Sequence, residues 1–414
     1  TPLAFPAKPL FGGMVASPPS SAPSRRCSRH RLFPPPSVAP SPRGSDHGFS
    51  PPPPSARRWR ITSTKLGTGS FSDGVFSASG GGVEVAVKVV SSMVRGAPNI
   101  VNEAEILKRL GPHSNIVAMY AHGYARTIIE GCGGLLSRLP WSYPARVPLD
   151  AYCVVLEKVS GGELYDRIAR AGRPRPLEEA EARRIFGGIA AAVSHCHAHG
   201  IAHLDLKLEN ILLTEAVGVK LIDFGLSHAY RPRGDGGSRG GYHRETPLQN
   251  LVGSSGYAAP EVWFNCGGYD GLTADVWSMG VILYLMLFGF FPFSREDDAA
   301  FADAVNALNE AQRQGRGRGL LVASSVREPP SPLAVELLDA MLTVKPSRRT
   351  KAKAVLGHQW LKRGDSTPLT ERSLPAPTTP TKAVRVTEGL APEGHGSPRS
   401  IMEDPFGAGK RKSI

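Results

Sequence analysis

The chain has 414 residues, 41% of them hydrophobic, with 46 glycines and 37 prolines. That is enough apolar material for one large domain or two smaller ones, and too much Gly and Pro for every part to pack. Five scattered cysteines, Cys27, Cys132, Cys153, Cys196 and Cys266, form no CxxC pair; they speak against a disulfide framework or a zinc site and for a reducing compartment, cytoplasm or nucleus. Net charge is +13, concentrated in the first 60 residues, where Asp46 is the only acid, so the basicity belongs to a solvated arm and gives no firm nucleic-acid or membrane partner.

Residues 1–56, with PPSSAPS, FPPPS and PPPPS, cannot bury enough apolar surface to offset their ordering entropy and read as a disordered tail. The tail is Arg- and Ser-rich and nearly acid-free, compatible with an organelle transit peptide, although its prolines oppose an amphipathic helix. Strand-like runs follow, VEVAVKVV (83–90) and YCVVLEKV (152–159), with NEAEILKRL (102–110) helical between them. The Gly- and Pro-broken stretch 126–150 reads as a long loop insertion. From 161 onward helices dominate, beginning with LEEAEARRIFGGIAAAVSHCHAHG (177–200). Its His195, His197 and His199 are two apart, which on a helix splays them and disfavours a metal site. WSMGVILYLMLFGFFPF (277–293) contains Ser, Gly and Pro and reads as a buried core helix rather than a membrane span. Residues 362–414 form a second Pro-rich tail. Ser-Pro and Thr-Pro pairs in the tails, at Ser17, Ser41, Ser50, Thr367, Thr379 and Ser397, are candidate proline-directed phosphorylation sites. A small β-rich lobe followed by a larger helical one predicts a ligand cleft between them.

Within 57–361 stand, in order, LGTGSFSDGV (66–75), VAVK (85–88), HLDLKLEN (203–210), VKLIDFG (219–225), YAAPE (257–261), DVWSMG (275–280) and LGHQWL (356–361). Glycines in the first of these let a backbone approach phosphates without Cβ clashes. Together the stretches resemble a protein kinase domain. The resemblance implies an α+β bilobal fold, with a β-rich N-lobe (57–159) and a helical C-lobe (160–361). It implies ATP and Mg²⁺ as cofactors and protein Ser/Thr hydroxyls as substrates. Lys88 would pair with the phosphates, oriented by Glu103 rather than Glu105. Asp205 would act on the substrate hydroxyl and Lys207 on the transferred phosphoryl, while Asn210 and Asp223 would hold Mg²⁺. Leu66, Gly67, Gly69, Val75, Ala86, Glu157, Val159 and Leu212 would complete the nucleotide site. Ser72 occupies the third glycine position, and Gly74 and Val75 fall one residue late. Glu261 would pair with Arg349.

DLKLEN and VSGGELYDRI (159–168) resemble the calcium/calmodulin-dependent group of serine/threonine kinases. There the positions of Glu163 and Glu209 receive an upstream arginine, implying R-x-x-S/T specificity. The C-terminal segment has no basic amphipathic helix with bulky anchors, so calmodulin is not supported as a partner; a monomer is expected. In the family, an arginine precedes the catalytic aspartate and pairs with a phosphate on the activation segment. Here that position is Leu204, and the phosphosite position is Asn250, with Thr246 four residues away. The switch is lost at both ends while Lys88, Asp205, Asn210 and Asp223 remain. That pattern favours an active kinase needing no activation-segment phosphate over the alternative, a catalytically weak or inactive kinase-fold scaffold.

Overall fold

The structure is a computed structural model that describes residues 58–67, 72–91, 97–130, 147–170, 173–215, 218–231, 248–249, 252–264, 267–293, 298–315 and 329–362. Both tails, Gly69, Thr246 and Asn250 lie outside these residues.

The small lobe is an antiparallel five-stranded sheet in the order β1-β2-β3-β5-β4. Its strands are β1 (Arg60–Gly67), β2 (Gly74–Gly80), β3 (Val83–Val90), β4 (Met119–Tyr124) and β5 (Tyr152–Glu157). β3 is apolar along most of its length because both faces are covered. Val85, Val87 and Val89 enter one core cluster, and Ala86 and Val90 enter the other. Helix α1 (Ala97–Leu110) supplies the second cluster with Ile100, Ala104 and Leu107. It starts five residues before the expected Asn102; Pro98 is tolerated in a first turn, where its missing N–H has no intrahelical partner.

The first cluster corrects the expectation of a plain loop at 126–150. A short helix, α2 (Ala125–Ile128), directly continues β4. Ala125, Ile129, Val147 and Ala151 are buried with Trp59 against the outer face of the sheet. Trp59 N donates to Ile128 O at 2.9 Å and Glu130 N to Trp59 O at 2.8 Å, tying this segment to the entry of β1. Apolar residues four apart, Ala125 and Ile129, present one face to the sheet. Residues 131–146 lie outside the described residues.

The large lobe is built on helices, among them α3 (Leu164–Ile168), α4 (Glu179–Ala198), α5 (Pro260–Trp263) and α6 (Gly271–Phe288). The 277–293 run belongs largely to α6. This helix is long and apolar enough to cross a membrane, but it is buried among the other elements of the lobe, as an all-round apolar helix in a large core must be. Asp270 caps its start by accepting from Leu272 N, and Gly289 in the left-handed region ends it. At the end of α4, His195 and the capping His199 share a side, with ring centroids 4.3 Å apart. Only His197 points elsewhere, to Asp275, so the expected splaying is partial: a spacing of four returns to the same side of a helix.

Arg349 ties α5 to the end of the domain. Its guanidinium is fully enclosed and makes paired bonds to Glu261 at 2.6 and 3.0 Å. Removing one partner of such a pair leaves an uncompensated buried charge. Glu261→Ala should therefore lower the unfolding free energy by about 3–5 kcal/mol, read from urea midpoints. A loss below about 1 kcal/mol, the range of exposed pairs, would show the pair to be peripheral.

Candidate active site

The floor of the cleft comes from the chain between α4 and α5. Strand Ile201–Ala202 leads into HLDLKLEN, which closes in a 3-10 turn at Leu208–Asn210 and continues as strand Ile211–Leu213, paired with Val219–Leu221. Asp275 of α6 holds the start of this loop. Its Oδ1 accepts from Leu204 N at 2.9 Å, and its Oδ2 accepts from His203 N at 2.8 Å. His203 Nδ1 accepts from Asp205 N at 3.3 Å, so the ring's Nε2–H donates to Ile222 O at 3.1 Å.

Asp205 is buried and fully engaged. Lys207 Nζ lies 2.8 Å from its Oδ2, Asn210 Nδ2 is 3.0 Å from the same oxygen, and Ser254 Oγ donates to Oδ1 at 3.0 Å. Lys207 Nζ also reaches Ser254 Oγ at 3.2 Å. Ser254 was not among the sequence candidates; a small hydroxyl on a loop carries no distinguishing pattern.

On the other side, Lys88 Nζ sits 2.8 Å from both Glu103 Oε2 and Asp223 Oδ1. The structure thus selects Glu103 over Glu105. Burial disfavours charge on Lys88, but Glu103 and Asp223 outweigh it and hold the ammonium well above the usual lysine range. Burial, helped by the Asp223 charge, raises the Glu103 carboxyl while Lys88 draws it back. Asp223 is also pushed up by burial, but Lys88, with help from Lys207, outweighs this and leaves its pKa below the ordinary aspartate value. Asp223 has φ 62, a left-handed conformation that turns the chain sharply after Val219–Leu221.

The remaining candidates fall around the same cleft. Val75 pairs with Lys88 across the sheet and packs, half-buried, on the cluster containing Ala86 and Leu156. Bulges in β1 between Ile61 and Lys65 and between Lys65 and Gly67 accompany the one-residue lateness of Gly74 and Val75, and Gly67 pairs with Val75. Leu66 is exposed, while Val159 and Leu212 are half-buried. The Glu157 side chain is committed elsewhere, to Ala118 N at 3.2 Å and Lys220 Nζ at 2.9 Å. Glu163 precedes α3, and its backbone bridges to Leu212, two residues past Asn210. Glu209 Oε2 is buried without a hydrogen-bond partner among the described residues.

Leu204 adopts φ 66 and packs with Ala202, Tyr230 and Leu272. A Cβ on Gly271 would lie 2.8 Å from Leu204 Cδ2 and 3.1 Å from Leu248 Cδ1; one on Gly253, itself at φ +97, would lie 2.6 Å from Leu204 O. Glycine at both positions is what lets the leucine sit there.

The depressed Asp223 pKa has a pH signature. A carboxyl held below its unfolded value of about 3.9 contributes stability that is complete above that pH and lost as pH falls through the folded value. The unfolding free-energy difference between the wild-type chain and Asp223→Asn should be flat from about pH 8 to 5 and should shrink below about pH 4. A difference independent of pH would contradict a charged Asp223.

Comparison with known proteins agrees with this geometry. The protein kinase domain family matches residues 61–361. CBL-interacting protein kinase 1 of Oryza sativa subsp. japonica is 38% identical over 216 residues, 52% of this chain and 41% of that protein. CBL-interacting serine/threonine-protein kinase 26 of Arabidopsis thaliana is 39% identical over 213 residues, 51% of this chain and 42% of its own length. Maternal embryonic leucine zipper kinase of Danio rerio is 35% identical over 290 residues, 70% of this chain and 35% of its own. The chain thus matches less than half the length of each of these relatives. It belongs to the protein kinase family, with a kinase domain of the serine/threonine type.

Proposed function

We propose that the chain transfers the γ-phosphoryl of ATP to serine or threonine hydroxyls of protein substrates, with Mg²⁺, and without phosphorylation of its activation segment. The observation that carries this is the pairing of two complete polar clusters, Lys88–Glu103–Asp223 and Asp205–Lys207–Asn210–Ser254, with every interatomic distance between 2.8 and 3.2 Å.

The donor set suits the cofactor. Asp223 stays ionised, and Asn210 commits its NH₂ to Asp205 O and Oδ2, which leaves the amide Oδ1 as its remaining acceptor. A carboxylate and an amide oxygen are the hard ligands Mg²⁺ takes while keeping water. Bound ATP–Mg²⁺ would supply the phosphoryl group and much of the charge neutralisation for its transfer. Lys88, fixed by Glu103, would hold phosphate oxygens. Leu66, Gly67, Gly69, Val75, Ala86, Val159 and Leu212 would enclose the nucleotide, and Glu157, with its side chain occupied, would contribute backbone groups. Asp205 would orient the substrate hydroxyl and accept its proton, with Lys207 neutralising the moving charge. Ser254 keeps the carboxylate from turning away.

Independence from phosphorylation is supported by Leu204. It offers no cation, and instead of an arginine–phosphate pair there is apolar packing against Ala202, Tyr230 and Leu272, beside Gly271. Specificity for an upstream arginine is supported by the Glu209 oxygen in the catalytic loop, which has no hydrogen-bond partner among the described residues, since a buried carboxylate oxygen without a donor favours an incoming guanidinium.

Two measurements test the proposal. Phosphatase-treated full-length chain should phosphorylate a serine peptide at most of its untreated rate, and Lys88→Met and Asp205→Asn should each lower the rate by roughly 10²–10⁴ with the fold intact. Turnover near wild type in either variant would favour the scaffold alternative; loss on phosphatase treatment, reproduced by Thr246→Ala, would mean the switch had moved rather than vanished. Separately, Glu163→Ala should weaken phosphorylation of R-x-x-S peptides by roughly 1.5–3 kcal/mol and spare peptides lacking that arginine. Equal loss on both peptides would assign Glu163 to structure.

A further inference from the structure

We infer that α1 is kept in its working position by a clamp that needs no phosphate, in which Asn102 and Arg109 grip the two ends of the segment following Asp223, with Asn102 a positioning residue for phosphoryl transfer. The inference rests on the function proposed above and adds how the active arrangement is maintained.

Asn102 Nδ2 donates toward three backbone carbonyls: Ser227 O at 2.9 Å, Gly225 O at 3.1 Å and Phe224 O at 3.5 Å. Seven residues on, Arg109 Nη2 donates to Tyr230 O at 3.2 Å and to His199 O at 2.9 Å. A spacing of seven returns to nearly the same side of a helix, so one face of α1 holds residues 224–230 at both ends. The approach is close: a Cβ on Gly225 would lie 3.4 Å from Asn99 Cβ. His195 Nε2 adds a 3.0 Å bond to Leu110 O, fastening the end of α1 to α4.

The chemistry is specific. All three Asn102 partners are carbonyl oxygens, so the position requires donors. A carboxylate of the same shape would set acceptor against acceptor. The partners are also backbone groups, so the grip does not depend on the charge state of the activation segment. Glu103 is the next residue, and any shift of Asn102 moves the carboxylate that orients Lys88. At the other end, Tyr230 belongs to the apolar cluster around Leu204, and its hydroxyl accepts from Gly271 N at 2.8 Å. The clamp therefore runs from α1 to the residue that stands where an arginine would read a phosphate.

The test uses phosphatase-treated full-length chain carrying Asn102→Leu, which keeps the size and loses the donors, or Asn102→Asp. Asn102→Leu should lower kcat about tenfold or more with the peptide KM little changed, as expected for an interaction that matters in the transition state; Asn102→Asp should lower it further. In a Glu103→Gln background, Asn102→Leu should cost little more, because both act through Lys88. Amide exchange over residues 223–230 should quicken in Asn102→Leu and, at the far end, in Arg109→Met, while α6 keeps its protection. Unchanged kcat, or losses that multiply independently in the double variant, would overturn the clamp. Should the wild-type chain transfer no phosphate, the functional proposal fails by itself; exchange then decides alone, and unchanged exchange over 223–230 in both Asn102→Leu and Arg109→Met overturns the clamp.

Discussion

A carboxylate almost out of contact with water, Asp275, fixes the geometry on which the cleft depends. It accepts from the backbone of both His203 and Leu204 and bonds to His197 Nε2 at 2.8 Å. These bonds offset a backbone cost of roughly 1–2 kcal/mol for placing Leu204 in the left-handed region. With that turn fixed, Asp205 N faces His203 Nδ1, and the His203 ring lies edge-on to Phe224 at 4.8 Å. Phe224 follows Asp223, Asp223 meets Lys88, and Lys88 meets Glu103 on α1. An acid on the buried helix α6 is thus linked by successive contacts to a helix of the small lobe.

The parts of this arrangement that could be read from the chain are those that sit inside stretches resembling a kinase domain. Lys88 in VAVK, Asp205 and Asn210 in HLDLKLEN and Asp223 before Phe-Gly stood out through the resemblance of those stretches to a kinase domain, and the fold gathers all four around one cleft. β3 was legible for another reason: covered on both sides, it is nearly continuous in valine and alanine. What stayed hidden acts through backbone groups or small side chains. Ser254 is one hydroxyl among neighbouring serines and glycines. Asn102 is a polar residue at the start of a helical pattern, and only the fold reveals three carbonyls opposite it. Asp275 opens DVWSMG, a stretch that stood out for its family resemblance without any role for its acid. The flanks of the 126–150 insertion look like loop because Gly and Pro interrupt their period, yet their few apolar residues find the exposed face of a sheet.

Leu204 illustrates how a substitution is accommodated by its surroundings. An arginine there would bring a charge into a pocket bounded by Ala202, Tyr230 and Leu272, where an unpaired cation is costly. The leucine side chain instead requires space, which Gly271 supplies, while Gly253 leaves room for the Leu204 carbonyl. The position is consistent only as a set: a side chain at either glycine would displace the leucine.

The outer layer on the small lobe bears on how the two lobes are joined. Both faces of its sheet are covered, one by α1 and the other by the segment around α2. Further down the chain, Gly161 N donates to Leu213 O at 3.0 Å and Leu213 N to Gly162 O at 2.8 Å, riveting the connection to the large lobe. Between the end of β5 and that rivet lie only Lys158, Val159 and Ser160. The covalent joint between the lobes is therefore three residues long, and one of them, Lys158, is bonded at 2.7 Å to Glu84 of the sheet.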